Sequence, residues 1–317
     1  MRIYCCFILK DFFVHKYISS LFVIGGLTAC GATSMSEGSF AGGANTSVSA
    51  FIEGPNNRSI QTGGAYLIRD RAAGTVRVGP QQSVAATAVP QNDESIHINV
   101  VGLGHNFTLT PTHLIADNEY FILLPDGTDV WFWTRSGTWD DVVGGTTEYD
   151  FVFTYGLSDY SEDDMVNNRV EGVFGLLTNP DHMPVAGGAE FFGMVEGLMY
   201  DAADAERFWH LVGNVTLDVD FESGTLDGDI TNFNVEGNAG HWLEFGIVET
   251  NIAEGQFQTE LTLNDDVCAN LCEATLTSEM TGAFYGPVAE EAGGNLTMTL
   301  SEPEGALVFN GSFVAAQ

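Results

Sequence analysis

From Met183 to the end the chain repeats one pattern, and that pattern limits its fold more than any other feature. Short runs of alternating apolar and polar residues, rich in Val, Thr, Phe and Ile, are separated by Gly, Asn and Asp: "GGAEFFGMVEGLMY", "GNVTLDVDF", "GTLDGDITNFNV", "HWLEFGIVETNI", "GQFQTELTLND", "ATLTSEMTGAFYGP", "GGNLTMTLSEP" and "ALVFNGSFVA". A period of two between turn residues is the signature of antiparallel strands and hairpins. Splitting the first run at Glu196 gives eight to nine strands. An open sheet of that size exposes two edges, and closing it into an up-and-down barrel removes them. Eight strands enclose a space that side chains can just fill. The reading is all-β: a soluble eight-stranded antiparallel barrel over 181–317, preceded by a smaller β-rich, handle-like domain over 51–180.

The same alternation marks the water side of that barrel. In "VTLDVDF" Thr216, Asp218 and Asp220 share one face, and Asp227 and Asp229 do so in "TLDGDITNF". A membrane barrel needs an apolar outer band with aromatic girdles, so these carboxylates argue for a barrel in water. One segment, "DAADAERFWHLV" (Asp201 to Val212), has the best helical look and is expected as a single helical excursion between strands.

Upstream, three hairpins are expected: "AYLIRDRAAGTVRV" turning at Ala-Gly, "SIHINVVGLGHNFTLTP" turning at Gly102–Gly104, and "EYFILLPDGTDVWFWTR" turning at Pro-Asp-Gly. "EYDFVFTYGL" adds a strand and "SEDDMVNN" an acidic loop. "VWFWTR" places Trp131 and Trp133 on one strand face and Phe132 on the other. Exposed, the tryptophans would anchor a ligand. Buried, they would be core of the first domain, which is the favoured reading.

The N-terminus carries an address. Arg2, Lys10, His15 and Lys16 precede the apolar run Ile18–Ala29, too short for the roughly 20 residues of a spanning helix, so 1–29 reads as a signal peptide. Leu27-Thr28-Ala29-Cys30 looks like a bacterial lipobox, which makes Cys30 the acylated first residue of a lipoprotein, bearing palmitate-type chains. Gly31 rather than Asp follows, as in lipoproteins sent to the outer membrane. The small polar residues of 30–50 read as a flexible tether.

Of 10 basic residues, Arg2, Lys10 and Lys16 fall in the leader, as does Asp11 of the 43 acidic ones. The rest of the chain keeps seven arginines, no lysine and 42 carboxylates. Such a surface repels phosphate backbones, so nucleic acid is excluded as a partner. Cys268 and Cys272 in "CANLC" would close a small disulfide ring in an oxidising compartment, with free thiols as the alternative. No metal site is expected, because zinc would need two further ligands at motif spacing.

Catalytic motifs are missing: there is no G-x-S-x-G elbow, H-E-x-x-H or P-loop, and no catalytic residue is assigned. No cofactor is called for. Haem is kept as the one ligand of that kind, with His105 and His182 as the axial candidates among scattered histidines.

One string near the end, "GAFYGPVAEEAGG", resembles the signature of the C-terminal barrel of transferrin-binding protein B and related surface lipoproteins. Gly282, Phe284, Tyr285, Gly286, Pro287, Glu290 (or its neighbour Glu291), Gly293 and Gly294 fit that signature. "MPVAGGAEFFGMVEG" and "LDVDFESGTLDGDI" fit two upstream strings of the family in the same order. The resemblance covers about 183–317 and implies a single-lobe member: a handle, a barrel, and a non-catalytic role in capturing a protein or cofactor ligand. The alternative is an envelope interaction lipoprotein with no small ligand. Physically the string reads as a structural corner. Phe284 and Tyr285 point to opposite strand faces, Gly286-Pro287 breaks the ladder, and Glu290 satisfies N–H groups of the turn.

Overall fold

A computed structural model describes residues 59–79, 82–88, 96–100, 104–109, 113–116, 119–135, 138–140, 146–148, 151–161, 166–175, 177–235, 243–264, 274–302 and 305–317. Among them there is no α-helix. The first part holds β1 (Ser59–Asp70), β2 (Thr75–Val78), β3 (Gln82–Ala88), β4 (Ile96–Val100), β5 (His105–Leu109) and β6 (Leu114–Ala116). It continues with β7 (Glu119–Leu123), β8 (Asp129–Arg135), β9 (Thr138–Asp140), β10 (Thr146–Glu148), β11 (Val152–Ser161) and β12 (Val166–Gly175). Their main sheet runs β5-β4-β3-β1-β12-β11-β8-β7-β6, with β2 beside β1 and β9–β10 as a separate hairpin. The three expected hairpins are present, with Gly74 and Gly127 at positive φ in two of the turns. The acidic stretch is shorter than read, because Val166–Asn168 already belong to β12, which pairs on both sides with β1 and β11.

A 3-10 turn, Pro180–His182, leads into the second part; the Asp181 N–H donates to the Asn179 side chain at 3.0 Å. There follow β13 (Gly188–Asp201), β14 (Asp204–Asp220), β15 (Thr225–Val235), β16 (Leu243–Asn251), β17 (Gln256–Thr259), β18 (Leu261–Leu263), β19 (Thr275–Tyr285), β20 (Glu291–Glu302) and β21 (Gly305–Ala316). The sheet order is β17-β19-β20-β21-β13-β14-β15-β16-β18. Only Glu260 separates β17 from β18, and the two halves pair with opposite neighbours, β17 with β19 and β18 with β16. Residues 256–263 are therefore one strand shared between the sheet's two ends. Counted so, the barrel is eight-stranded and shut, as the edge argument requires.

Two local expectations fail. Asp201–Val212 is no helix: Asp201 ends β13, Ala202–Ala203 make a tight turn, and Asp204 starts β14. Asp201 and Asp204 carboxylates accept from the N–H groups of Ala203 and Glu206 at 3.0 Å each, the local bonding by which Asp competes with a helix. Long-range pairing with β13 then fixes the strand. Nor does β13 break at Glu196. It stays continuous, with Glu196 facing Val212 on one side and Ser312 on the other.

The barrel interior is full. Phe191, Phe233, Phe245, Phe284, Phe309 and Phe313 are buried to within 1% exposure and belong to one apolar cluster. Their rings lie over inward-facing glycines. A Cβ on Gly311 would meet the Phe309 ring at 2.5 Å, and one on Gly294 would meet the Thr281 carbonyl oxygen at 1.9 Å. Outside, Asp218, Asp220, Asp227 and Asp229 are exposed, as the alternation predicted.

The first domain packs along the outer face of β13, β14, β19 and β21 through two apolar contacts. In one, Leu67 and Val76 meet Leu198, Tyr200, Ala205 and Val308. In the other, Val152 and Val173 meet Ala283, Tyr285 and Val314. Buried Arg69 fastens the first, donating to the Ala205 carbonyl and to Glu206 at 2.8 Å, with its guanidinium 5.8 Å from the Tyr200 ring centre. Burial raises the Tyr200 hydroxyl pKa above its ordinary value, against the lowering pull of Arg169 and Arg69.

Candidate functional site: the corner, the seam and the aromatic face

The "GAFYGPVAEEAGG" string lies where barrel and first domain meet. Alternation sends Phe284 inward, 5.5 Å from the Phe191 ring and 5.9 Å from Phe257. Tyr285 points outward and is buried against Val152 and Val173 of the first domain, and burial raises its hydroxyl pKa far above its ordinary value. Gly286 sits at φ +91°, where a side chain is strained and its Cβ would lie 2.3 Å from Glu290 Oε2. That same oxygen accepts from the Val288 N–H at 2.8 Å, closing the turn around Pro287. Gly293 and Gly294 open β20, opposite Ala283 and Gly282.

Beyond closing the barrel, the corner holds the neighbouring domain. The Thr178 N–H donates to the Phe284 carbonyl at 2.9 Å and its hydroxyl to the Gly286 carbonyl at 2.8 Å. Glu291, only 5% exposed, reaches across to accept from the Phe151 and Val152 N–H groups at 2.9 and 2.8 Å. The two carboxylates therefore have different jobs, Glu290 within the turn and Glu291 across the seam. The local string carried no sign of the second, since the donors lie about 140 residues earlier.

Trp131 and Trp133 lie on β8 in register with Phe121 and Glu119 of β7. Trp131 is 44% exposed, against the expectation of burial, and meets Phe121 edge-on with ring centres 5.1 Å apart. Leu123, two residues along the same face, is 64% exposed. β8 and β7 follow β11 in the sheet, on the side away from β12.

The two histidines do not meet. His105 Nε2 bonds the buried Asp159 carboxylate, which also accepts from the Asn168 N–H at 2.9 Å and side-chain amide at 3.1 Å. Tyr66 donates to Asn168 at 2.6 Å, and burial together with the Asp159 charge pushes its pKa up to about 12. His182 is exposed in the 3-10 turn. Glu190, Asp218 and Asp227 stand directly opposite one another on three strands and line, with Glu249, an open groove of about 470 Å³. Among the described residues no group of side chains is placed to hold a metal ion. Cys30, Cys268 and Cys272 lie outside the described residues.

Residues 183–317 match the family described as the C-lobe and N-lobe β barrels of Tf-binding protein B. The barrel is transferrin-binding protein B-like. Solved structures of transferrin-binding protein B are also similar to the chain. A Tyr-167-Ala, Trp-176-Ala double mutant from Haemophilus parasuis Hp5 has 13% identity and a TM-score of 0.40, covering 82% of this chain and 76% of that one. The isotype 1 protein of serogroup B Neisseria meningitidis has 12% identity and a TM-score of 0.43, covering 83% of this chain and 44% of that one. At such scores these likenesses add nothing to the family match. No curated protein matches the sequence. In this transferrin-binding protein B-like chain, then, the family signature is the joint between a filled barrel and the domain lying on it.

Proposed function

We propose that the chain is a lipid-anchored, non-catalytic binding protein of the outer membrane that captures a protein ligand at its surface, in the service of iron or another nutrient. Residues 1–29 direct export, acylated Cys30 moors the chain, and 30–50 hold the domains 51–180 and 181–317 away from the lipid. The observation that carries the reading is the filled barrel of a binding-protein family: with phenylalanines occupying the interior, recognition falls to outer surfaces. The Phe121–Leu123–Trp131 face is the surface assigned to it, because exposed aromatics on a rigid strand pair make effective anchors. Haem as the ligand would have to bind outside the barrel, and His105 would have to leave Asp159 to ligate it.

The test is retention of a ligand from the native growth medium by the purified full chain and by Trp131→Ala. Capture by the wild type with at least a tenfold loss in the variant supports the reading. A haem titration separates the ligand classes: a Soret shift lost in His105→Ala or His182→Ala assigns capture to haem. A flat titration with no protein retained leaves an envelope interaction lipoprotein instead. Protease shaving of intact cells and acyl labelling of Cys30 test the location.

A further inference from the structure

The outer face of β21 carries Val308, Asn310, Ser312 and Val314 in turn. Val308 belongs to the apolar contact with Leu67 and Val76, and Val314 to the one with Val152 and Val173. Asn310 and Ser312 share that face by alternation and sit between the two contacts. Both are buried, Asn310 completely. Their cross-strand partners on β20, Thr297 and Asn295, are buried too. From the first domain come Thr154 and the Arg169–Glu171 ion pair, on the strand faces that bear Val152, Val173 and Leu67. Along its length the seam is therefore apolar, polar and apolar again.

The polar stretch is incompletely bonded by the chain itself. Among the described residues neither Oδ1 nor Nδ2 of Asn310 has a hydrogen-bond partner. A buried group left in that state loses its solvation without compensation, and native structures keep few of them. Hydroxyls, amides and a carboxylate close by are the partners that hold a trapped water, whereas an apolar pocket stays dry. The carboxylates at the belt are already engaged, Glu171 by Arg169 and Glu196 of β13, opposite Ser312, by His210 at 2.6 Å.

We infer that the seam encloses ordered water bonded to Asn310, so that the two domains dock through a hydrated polar belt clasped at both ends by apolar contacts. Apolar surfaces slide past one another with little directional preference, but water-bridged amides and hydroxyls do not. The belt fixes the angle at which the first domain, with its exposed Trp131 face, lies on the barrel.

The test uses the full chain. A crystal structure fine enough to show solvent should place water within about 3.2 Å of both Asn310 atoms. Asn310→Leu should raise the unfolding equilibrium constant roughly tenfold, because it strips the water of its partners. Asn310→Ser, which keeps a polar group and leaves room for solvent, should cost less. Density that is dry at the site, or that shows Asn310 bonded directly to the first domain, overturns the inference. An Asn310→Leu chain as stable as the wild type does the same, since removing a dry, orphaned amide is neutral or stabilising.

Discussion

Replacing Glu291 by alanine should loosen the joint between the two domains by at least the amount set by its bonds to Phe151 and Val152. The carboxylate is 5% exposed and accepts from Val152, itself 1% exposed, and from its neighbour Phe151. A hydrogen bond to a charged group contributes about 1.5–3 kcal/mol, and losing the acceptor also strands the buried donors. Two bonds put Glu291→Ala at about 3–5 kcal/mol. Both bonds end on one oxygen, so the amide oxygen of Glu291→Gln can take them over without the charge; about 1–2 kcal/mol should be lost. The assay is urea unfolding followed by tryptophan fluorescence, which reports on both parts of the chain through Trp131 and Trp133 in the first and Trp209 in the barrel. With the clasp gone, the first domain should melt ahead of the barrel and one transition should become two. Added salt should leave the difference unchanged, because the carboxylate is shielded from solvent. A Glu291→Ala protein within 0.5 kcal/mol of the wild type, still unfolding in a single step, would refute the reasoning.

Gly294→Ala should destabilise the barrel by about 3 kcal/mol, since its Cβ would lie 1.9 Å from a backbone oxygen that has nowhere to go; thermal melting measures it. The folded state holds the Tyr66 proton more tightly than the unfolded chain does, so stability should fall as pH rises from about 10 to about 12, and Tyr66→Phe should flatten that limb in a denaturant series. The Ser223 side chain, then the Ser223 and Glu222 N–H groups, which donate to Asp220 at 3.2 and 2.8 Å, depress its pKa. Its contribution to the β14–β15 turn is present above the ordinary carboxylate range and lost as pH drops through the depressed value, so Asp220→Asn should be less acid-sensitive than the wild type in melts below about pH 4.

Much of this molecule could be read off a line of letters. The runs from Gly188 to Ala316 named their strands and turns, and Asp218, Asp220, Asp227 and Asp229 named the wet face, because alternation and turn chemistry act between residues one to four apart. The segment "DAADAERFWHLV" misled for the same reason: its local pattern suits a helix, and only pairing with β13 makes it a strand. "VNNRVEGVFG", whose first three residues read as acidic loop, is β12, its asparagines and glycines weak strand formers until β1 and β11 bracket them.

By itself, then, the sequence determined an all-β chain, the family its barrel resembles and the place of its corner. Tertiary structure alone decided how residues 256–263 bridge both ends of the sheet, that Glu291 serves the neighbouring domain, and that Trp131 stays in the open. Each of these depends on which distant backbone groups arrive opposite which side chains. A short stretch of residues carries its own period and turns, but it holds no record of the partner that folding brings to it.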